Sequence, residues 1–92
     1  EHLSLYGNYP NPFNPSTTIR YGLPKPRKVR MTVVNIKVQE IAELINDWRV
    51  MGRHEVIWNG KDQLGRSAAS GIYFTILSDG ETVRSHKVMF IK

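Results

Sequence analysis

The chain has 92 residues, of which 40% are apolar and 23% charged, and its formal net charge is +5. This length supports one domain with a single small core, and the composition excludes a disordered chain. The absence of cysteine excludes disulfides and thiolate chemistry. No apolar stretch approaches the roughly 20 residues of a membrane-spanning helix. Because the chain begins at Glu1 and not at Met, we expect a C-terminal piece of a longer protein.

The N-terminal region is rich in proline. Pro10, Pro12 and Pro15 remove backbone donors, so this stretch is predicted to be neither a helix nor a central strand. We interpret it as an extended lead-in whose Tyr9 and Phe13 cap the end of the domain, in preference to a ligand-binding loop. On this interpretation, residues 1–7 are a tail from a preceding domain or linker and residues 8–92 form the domain itself.

Several segments alternate between apolar and polar residues, which is typical of strands with one buried face. The predicted inward-facing sets are Thr17, Ile19, Tyr21 and Leu23; Val29, Met31 and Val33; and His54, Val56 and Trp58. Turn residues separate these segments at intervals typical of an all-β domain. Trp58 is the predicted large anchor of the core.

The densest basic cluster follows the strand that ends at Leu23. Its members are Lys25, Arg27, Lys28 and Arg30, interrupted by Pro24 and Pro26. No aromatic residues on which bases could stack are interleaved with these cations. We therefore favour a solvated turn and strand edge over a nucleic-acid site, with a weak contact to anionic lipopolysaccharide as the functional alternative.

One segment has a different period. Val38, Ile41, Ala42, Ile45 and Trp48 fall at helical spacing. A strand would place Glu43 on the same face as Ile41 and Ile45. Periodicity alone therefore predicts a short helix over residues 38–48, although a strand remains the alternative.

The C-terminal third contains a predicted hairpin. The run from Gly71 to Leu77 is apolar on both faces, as expected of a central strand. Asp79 and Gly80 supply two positive-φ positions for a tight turn, and residues 82–91 return antiparallel.

Neither catalysis nor metal binding is indicated. His54 and His86 lie in strand patterns, and no serine lies in a nucleophile elbow. Asn59 and Asp62 offer two oxygen side chains in one loop, but Lys61 lies between them, and calcium usually requires more carboxylates. We interpret this loop as a turn, and we expect no enzyme activity and no cofactor.

Several blocks, in order and spacing, resemble the C-terminal type A sorting domain of the type IX (Por) secretion system. These blocks are residues 8–19, 34–36, 39–45, 52–62, 69–74 and 87–92. The pattern is also similar to the immunoglobulin-like domain of flagellar hook-capping proteins. The resemblance implies an immunoglobulin-like antiparallel β-sandwich of about seven strands.

The same resemblance implies a non-catalytic signal that directs an attached upstream cargo domain through the outer membrane. The implied partners are the type IX translocon and sorting transpeptidase components, and the implied location is the periplasm in transit and then the cell surface or exterior. The implied recognition residues are Gly71, Ile72, Tyr73, Lys87, Val88, Met89, Phe90, Ile91 and Lys92. The alternative function is a structural or carbohydrate-binding accessory module of a secreted enzyme, and a hook-capping role is third.

The chain departs from the family pattern at two places. The resemblance implies a glycine in a tight turn where this chain has Val38, and valine tolerates positive φ poorly. Between Leu44 and Gly52, small residues and proline are replaced by bulkier ones. There, Trp48 and Val50 are candidates for a partner contact.

Overall fold

A computed structural model describes residues 3–92 and contains seven β-strands in two antiparallel sheets. The strands are β1 (Ser4–Tyr9), β2 (Thr17–Leu23), β3 (Arg27–Asn35), β4 (Glu40–Arg49), β5 (Gly52–Trp58), β6 (Gly71–Ser78) and β7 (Val83–Phe90). One sheet has the order β1-β2-β5 and the other the order β4-β3-β6-β7. This architecture is that of an immunoglobulin-like sandwich and confirms the predicted fold class. In the described part of the chain, no helix is long and apolar enough to cross a membrane.

The core lies between the sheets and is built from the alternating positions of their strands. Every second residue of β2 from Thr17 to Leu23 is buried, as are Val29, Met31 and Val33 of β3. Trp58 is 1% exposed, and its ring contacts Phe13, Tyr73 and Phe90. The predicted core anchor is thereby confirmed. Its indole Nε1 donates to the Lys61 carbonyl at 3.0 Å, which also fixes the loop after β5.

The N-terminal boundary differs from the prediction. Residues 4–7 belong to β1, which pairs with β2 from Ser4↔Gly22 to Tyr9↔Thr18, and so they are not a tail. Leu3 is buried in the core. The periodicity of β1 was hidden because a register shift between Leu5 and Gly7 interrupts its alternation. The first two residues of the predicted tail lie outside the described residues.

The helix predicted over residues 38–48 is wrong, since β4 occupies residues 40–49. Its pairing with β3 has two register shifts, which leave Ile41 and Leu44 without direct partners on β3. A bulge places two consecutive residues against one partner residue and so adds one residue to the repeat. Ile41–Ala42 and Leu44–Ile45 therefore form two partly or fully buried pairs three residues apart. This spacing of three resembles the period of a helix.

The turn before β4 contains a residue in the left-handed conformation that is not a glycine. Val38 has φ of 62°, and it is the only non-glycine residue in the described chain with positive φ. The turn is closed by the Val38 amide, which donates to the Asn35 carbonyl at 2.9 Å. The Asn35 side-chain oxygen also accepts from the amides of Lys37 and Gln39. The turn that the resemblance implied is therefore present, with a strained residue at its glycine position.

The connection between β6 and β7 is longer than the predicted two-residue turn. Ser78 pairs with Val83, so residues 79–82 form the loop, and of these only Gly80 has positive φ. The Asp79 carboxylate accepts from the amides of Glu81 and Thr82 and from Arg27 of β3. These contacts use the Asp79 side chain as a turn cap, in place of the left-handed backbone that a two-residue turn requires.

Candidate recognition site

The β6–β7 hairpin brings the predicted recognition residues together. Its register places Gly71 opposite Phe90, Ile72 opposite Met89 and Tyr73 opposite Val88. Ile91 and Lys92 continue beyond β7 and are fixed to neighbouring segments. The Ile91 amide donates to the Phe13 carbonyl at 3.1 Å, and the Lys92 amide donates to Ser70 Oγ at 2.9 Å.

The alternation of the two strands divides these residues into a buried set and an accessible set. Tyr73, Val88 and Phe90 are buried in the core. The side chains on the outer surface or beyond the strand end are Ile72, Lys87, Met89, Ile91 and Lys92. We call these five residues the hairpin face. Of the nine predicted recognition residues, these five present side chains that a partner can reach while the sandwich stays folded.

Two of the remaining predicted residues have structural roles. Tyr73 donates its hydroxyl to the Ala69 carbonyl at 2.6 Å, which fixes the loop leading into β6. Burial raises the pKa of Tyr73, which keeps the hydroxyl protonated as a donor. Gly71 has φ of 155°, a backbone conformation that other residues rarely adopt.

The hairpin face continues into an apolar band that the sequence did not assign to recognition. Phe74 and Ile76 point to the same side as Ile72, and β3 places Val34 opposite Phe74 and Thr32 opposite Ile76. On the β4 side, this band ends at Glu40 and Glu43, which form ion pairs with Arg30 of β3. The apolar run of β6 was the sequence pattern that indicated this band, but we interpreted that run only as a central strand.

The proline-rich segment covers the outer backbone edge of β7. The Phe13 amide donates to the Met89 carbonyl at 3.0 Å, and the Asn11 side chain accepts from the Met89 amide at 2.9 Å and donates to the Lys87 carbonyl at 3.4 Å. Phe13 is buried and its ring stacks on Phe90 with centroids 4.9 Å apart. The predicted cap is therefore correct for Phe13. It is wrong for Tyr9, which lies in β1 and is exposed.

The basic cluster after β2 is divided by the fold. Arg27 forms ion pairs with Asp79 and Glu81, and Arg30 pairs with β4 carboxylates. Lys25 and Lys28 remain, and no salt bridge in the described part of the chain involves them. The four cations thus do not act as one continuous basic surface.

The histidines and the loop after Trp58 make local contacts. His54 stacks on Tyr21 and its Nε2 lies 2.7 Å from the Val50 carbonyl, whereas His86 lies in the other sheet beside Gly7. Asn59 and Asp62 accept from backbone amides of their own loop. Within residues 3–92, no three His, Asp or Glu side chains are grouped closely enough to hold a metal ion.

Comparison with known proteins identified structural similarity. No protein-family model and no curated protein matches the chain. A solved structure of PorZ matches with a TM-score of 0.65 and 18% identity over 96% of this chain. PorZ is described as an essential bacterial surface component of the type IX secretion system of Porphyromonas gingivalis. The chain spans 11% of the length of PorZ, so the similarity shows a shared domain fold.

Proposed function

We propose that this domain is a non-catalytic C-terminal sorting signal that directs an attached upstream protein across the outer membrane by the type IX secretion system. The observation that carries this proposal is the similarity of nearly the whole chain to one domain-sized part of a type IX component. The blocks of sequence that resemble type A sorting domains support it independently. The domain would pass through the periplasm and reach the cell surface or exterior.

In this role, the domain is a ligand of the translocon and of sorting transpeptidase components, and it performs no chemistry itself. The hairpin face is the proposed contact, because its side chains are accessible while Tyr73, Val88 and Phe90 are committed to the core. Recognition would use side chains and not strand addition along residues 87–91, at the end of β7 and just beyond it, since Asn11 and Phe13 already occupy that edge.

The test is export of a periplasm-targeted fluorescent reporter fused to residues 1–92 in a bacterium with a type IX system. A truncation at His86 would also remove the buried Val88 and Phe90, and it would therefore confuse unfolding with loss of the signal. A double variant, Lys87→Glu and Met89→Glu, changes the hairpin face and leaves the core intact. We expect the unmodified fusion to be exported and the double variant to stay in the periplasm in a folded form.

The matched control is Lys25→Glu, which changes an exposed cation in the β2–β3 connection, at the end of the sandwich opposite the hairpin face. This variant should be exported normally. Export of the double variant at the unmodified level would reject the hairpin face as the contact, and retention of the unmodified fusion would reject the sorting function.

A second candidate is an accessory module that binds a polysaccharide. The observation that favours it is a pair of exposed aromatic side chains on β1, Tyr6 and Tyr9. Arg53 lies 5.8 Å from the Tyr6 ring centroid, and Gly22 provides the space beneath that ring. Binding to insoluble polysaccharide that is lost in a Tyr6→Ala and Tyr9→Ala variant would support this function.

A further inference from the structure

Exposed apolar side chains are concentrated at the connection between β4 and β5. Trp48, Val50 and Met51 are 64%, 68% and 64% exposed, respectively. The connection passes from one sheet to the other at the end of the sandwich where β2, β4 and β6 finish and β3, β5 and β7 begin. This end is opposite the one where β7 finishes.

Cations that form no salt bridge among the described residues lie at the same end of the sandwich as these apolar residues. Lys28 lies directly opposite Trp48 in the β3–β4 register, and Arg53 follows the connection at the start of β5. Lys25 lies in the β2–β3 connection at the same end. In the described part of the chain, no salt bridge involves Lys25, Lys28 or Arg53. We call Lys25, Lys28, Trp48, Val50, Met51 and Arg53 the basic tip.

The acidic residues at this end do not neutralise the basic tip. Residues 24–28, 47–53 and 79–84 carry six Lys and Arg against three Asp and Glu. Asp47 lies 3.7 Å from Arg49, while Asp79 and Glu81 pair with Arg27. The carboxylates are therefore already paired with arginines, and the excess positive charge stays beside the exposed apolar residues.

We propose that the basic tip docks on the surface of an anionic phospholipid bilayer. A tryptophan with neighbouring aliphatic side chains suits the boundary between headgroups and acyl chains, and adjacent Lys and Arg side chains attract headgroup phosphates. The charge pattern favours this partner over a second copy of the chain, whose basic tip would repel it. The sandwich would stand end-on, with the hairpin face away from the bilayer.

The two tryptophans allow a direct test by fluorescence. Trp48 is exposed and Trp58 is buried, so insertion changes the emission of Trp48 alone. The probe is vesicles of equal parts phosphatidylglycerol and phosphatidylcholine, compared with phosphatidylcholine alone. We expect binding to the anionic vesicles, a blue shift, quenching by lipids brominated in their acyl chains, and weakening of binding by salt.

Variants distinguish vesicle binding through the basic tip from attraction caused by the overall positive charge of the chain. Trp48→Ala should weaken vesicle binding about tenfold and Lys28→Gln about fivefold, with unchanged thermal unfolding. The matched control, Lys37→Gln with Lys61→Gln, removes two exposed cations from loops at the opposite end and should leave binding unchanged. Equal binding to both vesicle types, absence of Trp48 quenching, or an equal loss in the control would overturn the proposal. None of these results bears on export through the hairpin face.

Discussion

Val38 adopts a left-handed backbone conformation that its own side chain disfavours. A left-handed conformation costs an L-residue about 1–2 kcal/mol because Cβ approaches the following carbonyl oxygen. Its side chain is 73% exposed and offers little packing in return. The surrounding contacts of Asn35 hold the turn in this shape.

Replacing Val38 by glycine should therefore stabilise the domain. The relieved strain exceeds the entropy that glycine loses on folding, about 0.5–1 kcal/mol, so we expect Val38→Gly to raise the free energy of unfolding by roughly 0.5–1 kcal/mol. Urea denaturation measures this change. Ile36→Gly is the matched control in the same turn, at a residue without positive φ, and it should not stabilise; a decrease for Val38→Gly would contradict the strain.

Trp58 is the residue on which the core depends most. Trp58→Ala should lower the free energy of unfolding by about 3–5 kcal/mol, because it leaves a large cavity between Phe13, Tyr73 and Phe90. Chemical denaturation measures the loss. Trp48→Ala is the control, since it removes the same ring from an exposed site and should change stability by less than about 0.5 kcal/mol. A loss under about 1 kcal/mol for Trp58→Ala would contradict its role.

At the scale of elements, the strands that the sequence predicted well are those with unbroken alternation. In β2, from Thr17 to Leu23, every second residue is buried and no bulge interrupts the alternation, so the sequence pattern identifies the buried face directly. In β4 the two bulges change the repeat from two residues to three, and hydrophobic spacing cannot distinguish that repeat from a helix. The segment is a strand because it pairs with β3, and hydrophobic spacing alone does not record that pairing.

The cover over the β7 edge is an element contact that single-residue changes can test. Asn11→Ala removes two hydrogen bonds to β7, and we expect a loss of about 1 kcal/mol in stability. Hydrogen exchange at the Met89 amide should become faster. Asn14→Ala, from the same segment, removes no hydrogen bond that the structure records and is the control. Unchanged exchange at Met89 in Asn11→Ala would show that Phe13 alone covers the edge.

Because of the β6–β7 loop, we expect the stability of the domain to decrease at acidic pH. Burial would raise the pKa of Asp79, but the amides of Thr82 and Glu81 and the Arg27 guanidinium outweigh it, so the pKa lies below its usual value. Hydrogen bonds led by the Arg66 amide also lower the pKa of Asp62. A carboxylate whose pKa is depressed in the folded state stabilises the folded domain at pH values above its unfolded-state pKa, which is about 4. This contribution is lost as the pH falls through the folded-state pKa.

Urea unfolding between about pH 6 and pH 2 measures this dependence. We expect Asp79→Asn to lower stability near neutral pH and to reduce the slope below about pH 4, because the variant has no carboxylate to protonate. Asp47→Asn is the control, since that side chain is 72% exposed, lies 3.7 Å from Arg49 and accepts from the adjacent Trp48 amide. An unchanged slope in Asp79→Asn would assign the acid dependence to Asp62 and other groups.

At the scale of the whole molecule, the sequence predicted that the segments of the hairpin are neighbours, but it did not predict which of their side chains are accessible. The resemblance placed the site at residues 71–73 and 87–92, and the register confirms that these segments are neighbours. Which residues are accessible depends on the two faces of the sheet, and the cover on the β7 edge depends on a segment about 75 residues earlier in the chain. Neither relation leaves a local pattern in the sequence.

The directions of β1 and β7 have a mechanical consequence. Both strands run the same way along a molecule 36 Å in its longest extent, so Leu3 and Phe90 lie at opposite ends. A pulling force applied between these ends would load the hydrogen bonds of β1–β2 and β6–β7 in shear, parallel to the strands. Many bonds would then have to break together, and not one after another as in unzipping. The sandwich should therefore resist traction along its axis and transmit that force to whatever is joined to it.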